Sequence, residues 1–110
     1  VRTAIDPQSD KGWGFLLYIP MHYVYIIESS FNGTYYKGYS LFPLERLQQH
    51  NLGLSRYTCN ARPWFLVYVE AFSDKRSALI RERALKKYSR SQISYLISSS
   101  KNIIEIYLRG

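Results

Sequence analysis

Tyr23-Val24-Tyr25-Ile26-Ile27-Glu28-Ser29-Ser30-Phe31-Asn32-Gly33-Thr34-Tyr35-Tyr36-Lys37-Gly38-Tyr39 is the stretch on which the reading of the chain turns. Tyr23, Tyr25 and Ile27 alternate with Val24, Ile26 and Glu28, and Tyr35, Lys37 and Tyr39 alternate with Tyr36 and Gly38, which is the period of two pleated strands. Asn32-Gly33 between them supplies the residue types that a tight hairpin needs at its central positions. With those two residues central, Phe31 faces Thr34 and Ser29 faces Tyr36. Tyr25 lies four residues before Ser29, so Tyr25 and Tyr36 share one face of the hairpin. A shift of one residue in register would separate them.

Downstream, Ser40 is placed to cap a helix from about Phe42 to Asn51, with Pro43 tolerated in the first turn and Gly53 ending it. Leu41, Leu44, Leu47 and Leu54 recur at helical spacing and form the expected buried stripe, while Arg46 and His50, one turn apart, share a different face. A polar connector, Gly53 to Pro63, carries Arg56, Tyr57, Asn60 and Arg62. This mixture suits a phosphate-contacting loop and equally any exposed loop. Trp64 to Phe72 is apolar and aromatic almost without interruption, which predicts the central strand of the sheet.

Ser73 is placed to cap a second predicted helix, from about Lys75 to Tyr88, with Ala78, Leu79, Leu85, Ile80 and Ala84 as its apolar positions. Glu82 is its only acid and projects on or beside the face meant to be buried, so its carboxylate needs a cation: a metal ion, Arg46, or Lys86 one turn on. Lys75, Arg76, Arg81, Arg83, Lys86, Lys87 and Arg90 form a basic ridge around it. Ser89 and Gln92 make a capping box for a third helix to about Ile97. The tail from Asn102 to Leu108 reads as an edge strand or a loosely docked end.

The 110 residues suffice for one domain with one modest core, and no stretch approaches a membrane span. Fifteen Lys and Arg against eight Asp and Glu give a net charge of +7, and nine of the fifteen are Arg, which favours a polyanionic partner such as nucleic acid. Cys59, the one cysteine, excludes an internal disulfide; it is expected to be a buried small residue in a reducing cytoplasm. Residues 1–20 are turn-rich and polar, then apolar from Phe15 to Pro20, and read as an amino-terminal extension preceding Met21, the expected native start. The alternative is that Gly14 to Pro20 docks as an extra edge strand.

The order of hairpin, Arg46–His50 helix, strand and Glu82 helix resembles the GIY-YIG nuclease superfamily, over residues 21 to about 97. Tyr23-Val24-Tyr25 is similar to the first signature triplet and Tyr36-Lys37-Gly38 to the second. Arg46 and His50 stand where members carry Arg and His or Tyr, and Glu82 resembles the metal-binding glutamate. The run Arg62-Pro63-Trp64 is similar to the small stand-alone members related to the nuclease module of the excision-repair incision protein. Tyr23 replaces the usual Gly, Lys37 the usual apolar middle residue, and Ser94 an Asn found in many active members.

The resemblance implies an α+β fold, with a small three-stranded, mainly antiparallel sheet flanked by three helices over residues 21–98. It implies a DNA endonuclease of little sequence specificity, in repair or recombination, acting on DNA that includes branched or damaged forms. One Mg²⁺ or Mn²⁺ ion would be held by Glu82. Tyr36 would act as base with its phenol acidified by a nearby cation, Tyr25 and His50 would position water or phosphate, and Arg46 would stabilise developing charge. Lys37, Arg56, Arg62, Arg81, Arg83, Lys86 and Lys87 are the expected nucleic-acid contacts. The rival reading is a non-catalytic nucleic-acid-binding module that keeps this fold.

Overall fold

A computed structural model describes residues 3–4 and 19–110 of the chain. In order, these form β1 (Thr3–Ala4), β2 (Ile19–Pro20), β3 (His22–Ser29), β4 (Tyr35–Ser40), α1 (Pro43–Asn51), a 3₁₀ turn at Cys59–Ala61, β5 (Trp64–Phe72), α2 (Lys75–Leu85), α3 (Arg90–Ile97) and α4 (Ile104–Arg109). β1 and β2 pair with each other in a separate two-stranded ribbon. The remainder of the expected extension lies outside the described residues.

The hairpin forms with a longer loop than Asn-Gly alone suggests. Gly33 N–H donates to Ser29 O and Ser29 N–H to Thr34 O, both at 2.9 Å, so Ser30 to Gly33 make a four-residue loop. Ser29 Oγ accepts from Phe31 N–H and Asn32 N–H, Asn32 Oδ1 accepts from Thr34 N–H, and Gly33 takes the left-handed φ of +76° that closes the turn. Ile27 therefore faces Tyr36 and Tyr25 faces Gly38. That is a slip of two residues from the two-residue-loop register, and two is one full pleat, so Tyr25 and Tyr36 keep a common face.

The sheet is antiparallel throughout, in the order β4-β3-β5. β3 is the central strand and β5 an edge, the reverse of the expected placement. The unbroken apolar run of β5 reflects cover on both of its faces. Val67, Tyr68 and Phe72 pack with Val24, Ile26, Ala78, Leu85, Ile93 and Leu96 beneath α2 and α3. Trp64, Leu66, Val69 and Ala71 join Tyr23, Tyr25, Ile27 and Tyr107 on the side of α1 and α4. A β-bulge between Ile26 and Ile27, where β3 neighbours step from Tyr68 to Leu66, lets β5 serve both. Each fully buried aliphatic side chain here, such as Leu85 or Ile93, stabilises the fold by about 1.5–3 kcal/mol.

The helices depart from the leucine pattern in detail. On α1 the fully buried residues are Pro43 and His50; Leu47 is half-buried, while Leu44 and Leu54 are exposed, so the expected leucine stripe is not the packed face. α1 turns a histidine, not a leucine row, toward the sheet. Its N-cap is Phe42, whose N–H is taken by Ser40 Oγ at 2.8 Å, and Gly53 follows its end with φ of +80°. α2 is capped by Asp74 rather than Ser73, through Ser77 N–H at 2.8 Å, and stops at Leu85. The Ser89–Gln92 capping box of α3 is present as read from the sequence.

The tail is a fourth helix, not a strand. Tyr107 of α4 is buried edge-on against Tyr23, ring centroids 5.0 Å apart. Asn102 fixes where the chain turns into it: its Oδ1 accepts from Val69 N–H and Ile104 N–H, and its Nδ2 donates to Val67 O and Ile97 O, at 2.8 to 3.1 Å. One amide thus satisfies the unpaired edge of β5 and both ends of the α3–α4 connection. Asn102→Ala should lower unfolding free energy by about 2–4 kcal/mol in urea denaturation, because it strands several backbone groups at once.

Candidate active site

His50 is the centre of the site. It sits at the end of α1 with no solvent exposure, its Nε2 2.9 Å from the Tyr25 hydroxyl and its Nδ1 2.7 Å from Thr58 Oγ1. The Tyr36 ring packs on it at 4.9 Å between centroids, inclined at 60°. β3, β4, α1 and the connector therefore each contribute one side chain to one cluster. Gly38, the cross-strand partner of Tyr25, leaves the space its phenol fills: a Cβ there would stand 2.5 Å from the hydroxyl.

Two backbone anchors hold the wall behind His50. Asn51 Oδ1 accepts from Trp64 N–H at 2.6 Å and its Nδ2 donates to Trp64 O at 3.0 Å, mimicking a strand neighbour. The Trp64 indole N–H donates to Thr58 O at 2.9 Å, and Ser29 Oγ donates to Ala61 O at 2.6 Å. Thr58 is thereby braced against His50. Nothing local in the irregular segment Gly53 to Pro63 marks it as a site residue, and the sequence reading missed it.

Tyr25 and His50 are both held in their uncharged forms. Burial, then the nearby Arg46 guanidinium, pushes His50 down to about 4, so it is neutral at physiological pH. Burial pushes Tyr25 up to about 12 against the pull of Arg46, with Tyr36 and Glu82 adding to the rise. The neutral imidazole thus bridges the Tyr25 and Thr58 hydroxyls, one ring nitrogen donating and the other accepting.

Arg46 and Glu82 act on Tyr25 electrostatically, which places both in its neighbourhood. Arg46 also donates to Gln49 Oε1. Of the two side-chain cations weighed for Glu82, Arg46 is not its partner among the described ion pairs and Lys86 is, at 3.5 Å, with 56% of the lysine side chain exposed and 18% of the glutamate. Such a pair is weak and easily exchanged. No group of three or more His, Cys, Asp and Glu side chains among the described residues converges as a protein-built metal cage. One partly exposed carboxylate fits a hard divalent cation that takes its other ligands from water and phosphate, and does not fit a zinc site.

The other expected contacts divide. Arg56, Arg62, Arg83 and Lys87 are exposed. Arg81 is committed to Glu70 at 2.9 Å, with Tyr68 on the same carboxylate, and Lys86 to Glu82. Lys37 is half-buried, and burial lowers its pKa. Cys59 is half-buried with Sγ 3.5 Å from Arg56 O, and Ser94 is exposed on α3. Among the described residues no helix is long and apolar enough to cross a membrane.

Two outcomes follow from this geometry. Gly38→Ala should displace the Tyr25 phenol, seen as loss of protection of the Tyr25 and His50 signals in NMR and a fall in stability of about 1–3 kcal/mol. The unfolded state protonates His50 near pH 6.5 and the folded state only near 4, so the unfolded chain binds more protons between them and stability falls as pH drops through that window. Denaturation from pH 7 to 4 should show that decline in the wild type, and a smaller one in His50→Gln.

The catalytic-domain model of the GIY-YIG family matches residues 21–96. The UPF0213 protein of Halobacterium salinarum is 42% identical over 73 residues, covering 66% of this chain and 94% of that protein. Its counterpart in Staphylococcus haemolyticus is 43% identical, covering 64% and 87%, and that of Haloquadratum walsbyi 36% identical, covering 74% and 92%. The solution NMR structure of the UPF0213 protein of Bacillus halodurans is 34% identical, covering 74% of this chain and 86% of that one, at a TM-score of 0.48. With two signature tyrosines packed on one histidine, and a family match across most of the chain, this protein belongs to the GIY-YIG family, among its small UPF0213 members.

Proposed function

We propose that the chain is a divalent-metal-dependent endonuclease that hydrolyses DNA phosphodiester bonds with little sequence specificity. The observation that carries this reading is the convergence of Tyr25 and Tyr36 on neutral His50, next to the Arg46 and Glu82 charges. A phenol pushed up to about 12 stays protonated, so Tyr25 serves as a hydrogen-bond donor to a phosphate oxygen, oriented by His50 and Thr58. The task of activating water falls to Tyr36, the more accessible phenol of the pair. Arg46 stabilises charge building on the phosphate. Glu82 would hold a Mg²⁺ or Mn²⁺ ion, which would supply Lewis-acid help to the departing oxygen.

Exposed Arg56, Arg62, Arg83 and Lys87 offer phosphate contacts, which position a strand without reading its bases. A second reading, a binding module without catalysis, is favoured by the Glu82–Lys86 pair and by Ser94. Supercoiled plasmid nicking with Mg²⁺ or Mn²⁺ separates them: Tyr36→Phe and Glu82→Ala should each lose about a hundredfold or more in rate. Equal nicking by all three proteins would expose a contaminant and remove the catalytic reading.

A further inference from the structure

The hairpin tip holds a feature that the hydrolytic cluster does not use. Phe31 is 71% exposed, yet its loop is tied on two sides: Ser29 Oγ takes its N–H at 3.0 Å, Ser30 N–H donates to Pro63 O at 2.9 Å, and Arg90 donates to Gly33 O. A large apolar ring in a free loop would fold down onto the surface. Here a braced backbone presents it to solvent.

Phe31 borders a recess of about 480 Å³ shared with Asn60, Arg62, Cys59, Pro63 and Asn51. The Arg62 side chain lines it. Its Nε donates to Cys59 O at 2.7 Å, and its Nη1 occupies the place where a side chain on Gly53 would start, 2.7 Å from that position. Gly53 also holds a φ of +80°, so this clearance is built into the backbone. Among the described residues Arg62 has no carboxylate partner, whereas Arg81 and Lys86 do. The Asn60 side chain is exposed at the same recess. Asn51 and Cys59, on its floor, directly follow His50 and adjoin Thr58 in the chain.

We infer that this recess binds one unpaired nucleotide, with its base stacked on Phe31, its phosphate on Arg62 and its base edge within reach of the Asn60 amide. An aromatic platform beside an unneutralised guanidinium is the chemistry of single-strand recognition, and stacking tolerates any base. A base-paired nucleotide cannot present its face to the ring. The site therefore favours a single-stranded segment, flap or frayed end over intact duplex. The inference rests on the nucleic-acid reading above and narrows its substrate class.

The test uses the full chain in EDTA, so that binding is read without cleavage. A single-stranded oligonucleotide carrying 2-aminopurine and a blunt duplex of the same sequence are titrated by fluorescence. The wild type should quench 2-aminopurine and bind the single strand more tightly than the duplex. Phe31→Ala should lose the quenching and reduce that preference about tenfold, Phe31→Trp should restore both, and Arg62→Gln should weaken single-strand binding with a shallower salt dependence. Unchanged quenching and preference in Phe31→Ala, with duplex binding and nicking intact, would overturn the recess alone. Failure of the wild type to bind either form would bring down the nuclease reading with it.

Discussion

The hydrogen bond between His50 and the Tyr25 hydroxyl is the contact on which the rest of the structure leans. A histidine with no exposure survives only if both ring nitrogens are bonded and the ring stays neutral, and here Thr58 and Tyr25 meet the first condition while burial and Arg46 meet the second. Satisfying it draws four segments together: the centre of β3, the end of α1, the connector, and Gly38 of β4, which must lack a side chain for Tyr25 to fit. The signature glycine is thereby a packing requirement of the signature tyrosine.

This arrangement places two similar phenols in different surroundings. Tyr25 lies at the strand centre and is kept protonated by its surroundings; Tyr36 lies on the outer strand, touches the same histidine and is less enclosed. Position in the sheet separates their exposure, since β3 is the central strand and β4 borders only one other strand. The same logic explains why α1 does not bury its leucines. Its inward positions are occupied by Pro43 and His50 with Leu47 partly covered beside them, while Leu44, and Leu54 beyond its end, are left at the surface.

The cations show a comparable sorting. Net positive charge suggests one continuous ridge, but the fold spends Arg81 on Glu70 beneath α2, places Arg90 over the Tyr35 ring at 4.8 Å, and leaves Arg56 and Arg62 on the connector. Some of the charge serves the core and the hairpin, and the remainder is presented to solvent. Arg62 donates to Cys59 O and lies in the space that Gly53 leaves clear, so part of its orientation is set by the connector itself.

The sequence by itself determined the hairpin and the common face of Tyr25 and Tyr36, because side-chain alternation survives any even shift in register. It also determined the capping box of α3, a local hydrogen-bond pattern, and the spacing that puts Arg46 and His50 one turn apart. Tertiary structure alone decided the rest. A strand buried on both faces reads the same at the edge as at the centre, so tertiary pairing alone puts β5 at the edge of the sheet. Asn102 to Leu108 is apolar enough for a strand or a helix, and only the bonds of Asn102 and the docking of Tyr107 on Tyr23 choose the helix. Thr58 acquires its role from a histidine eight residues away and an indole six residues on, contacts that no local pattern encodes.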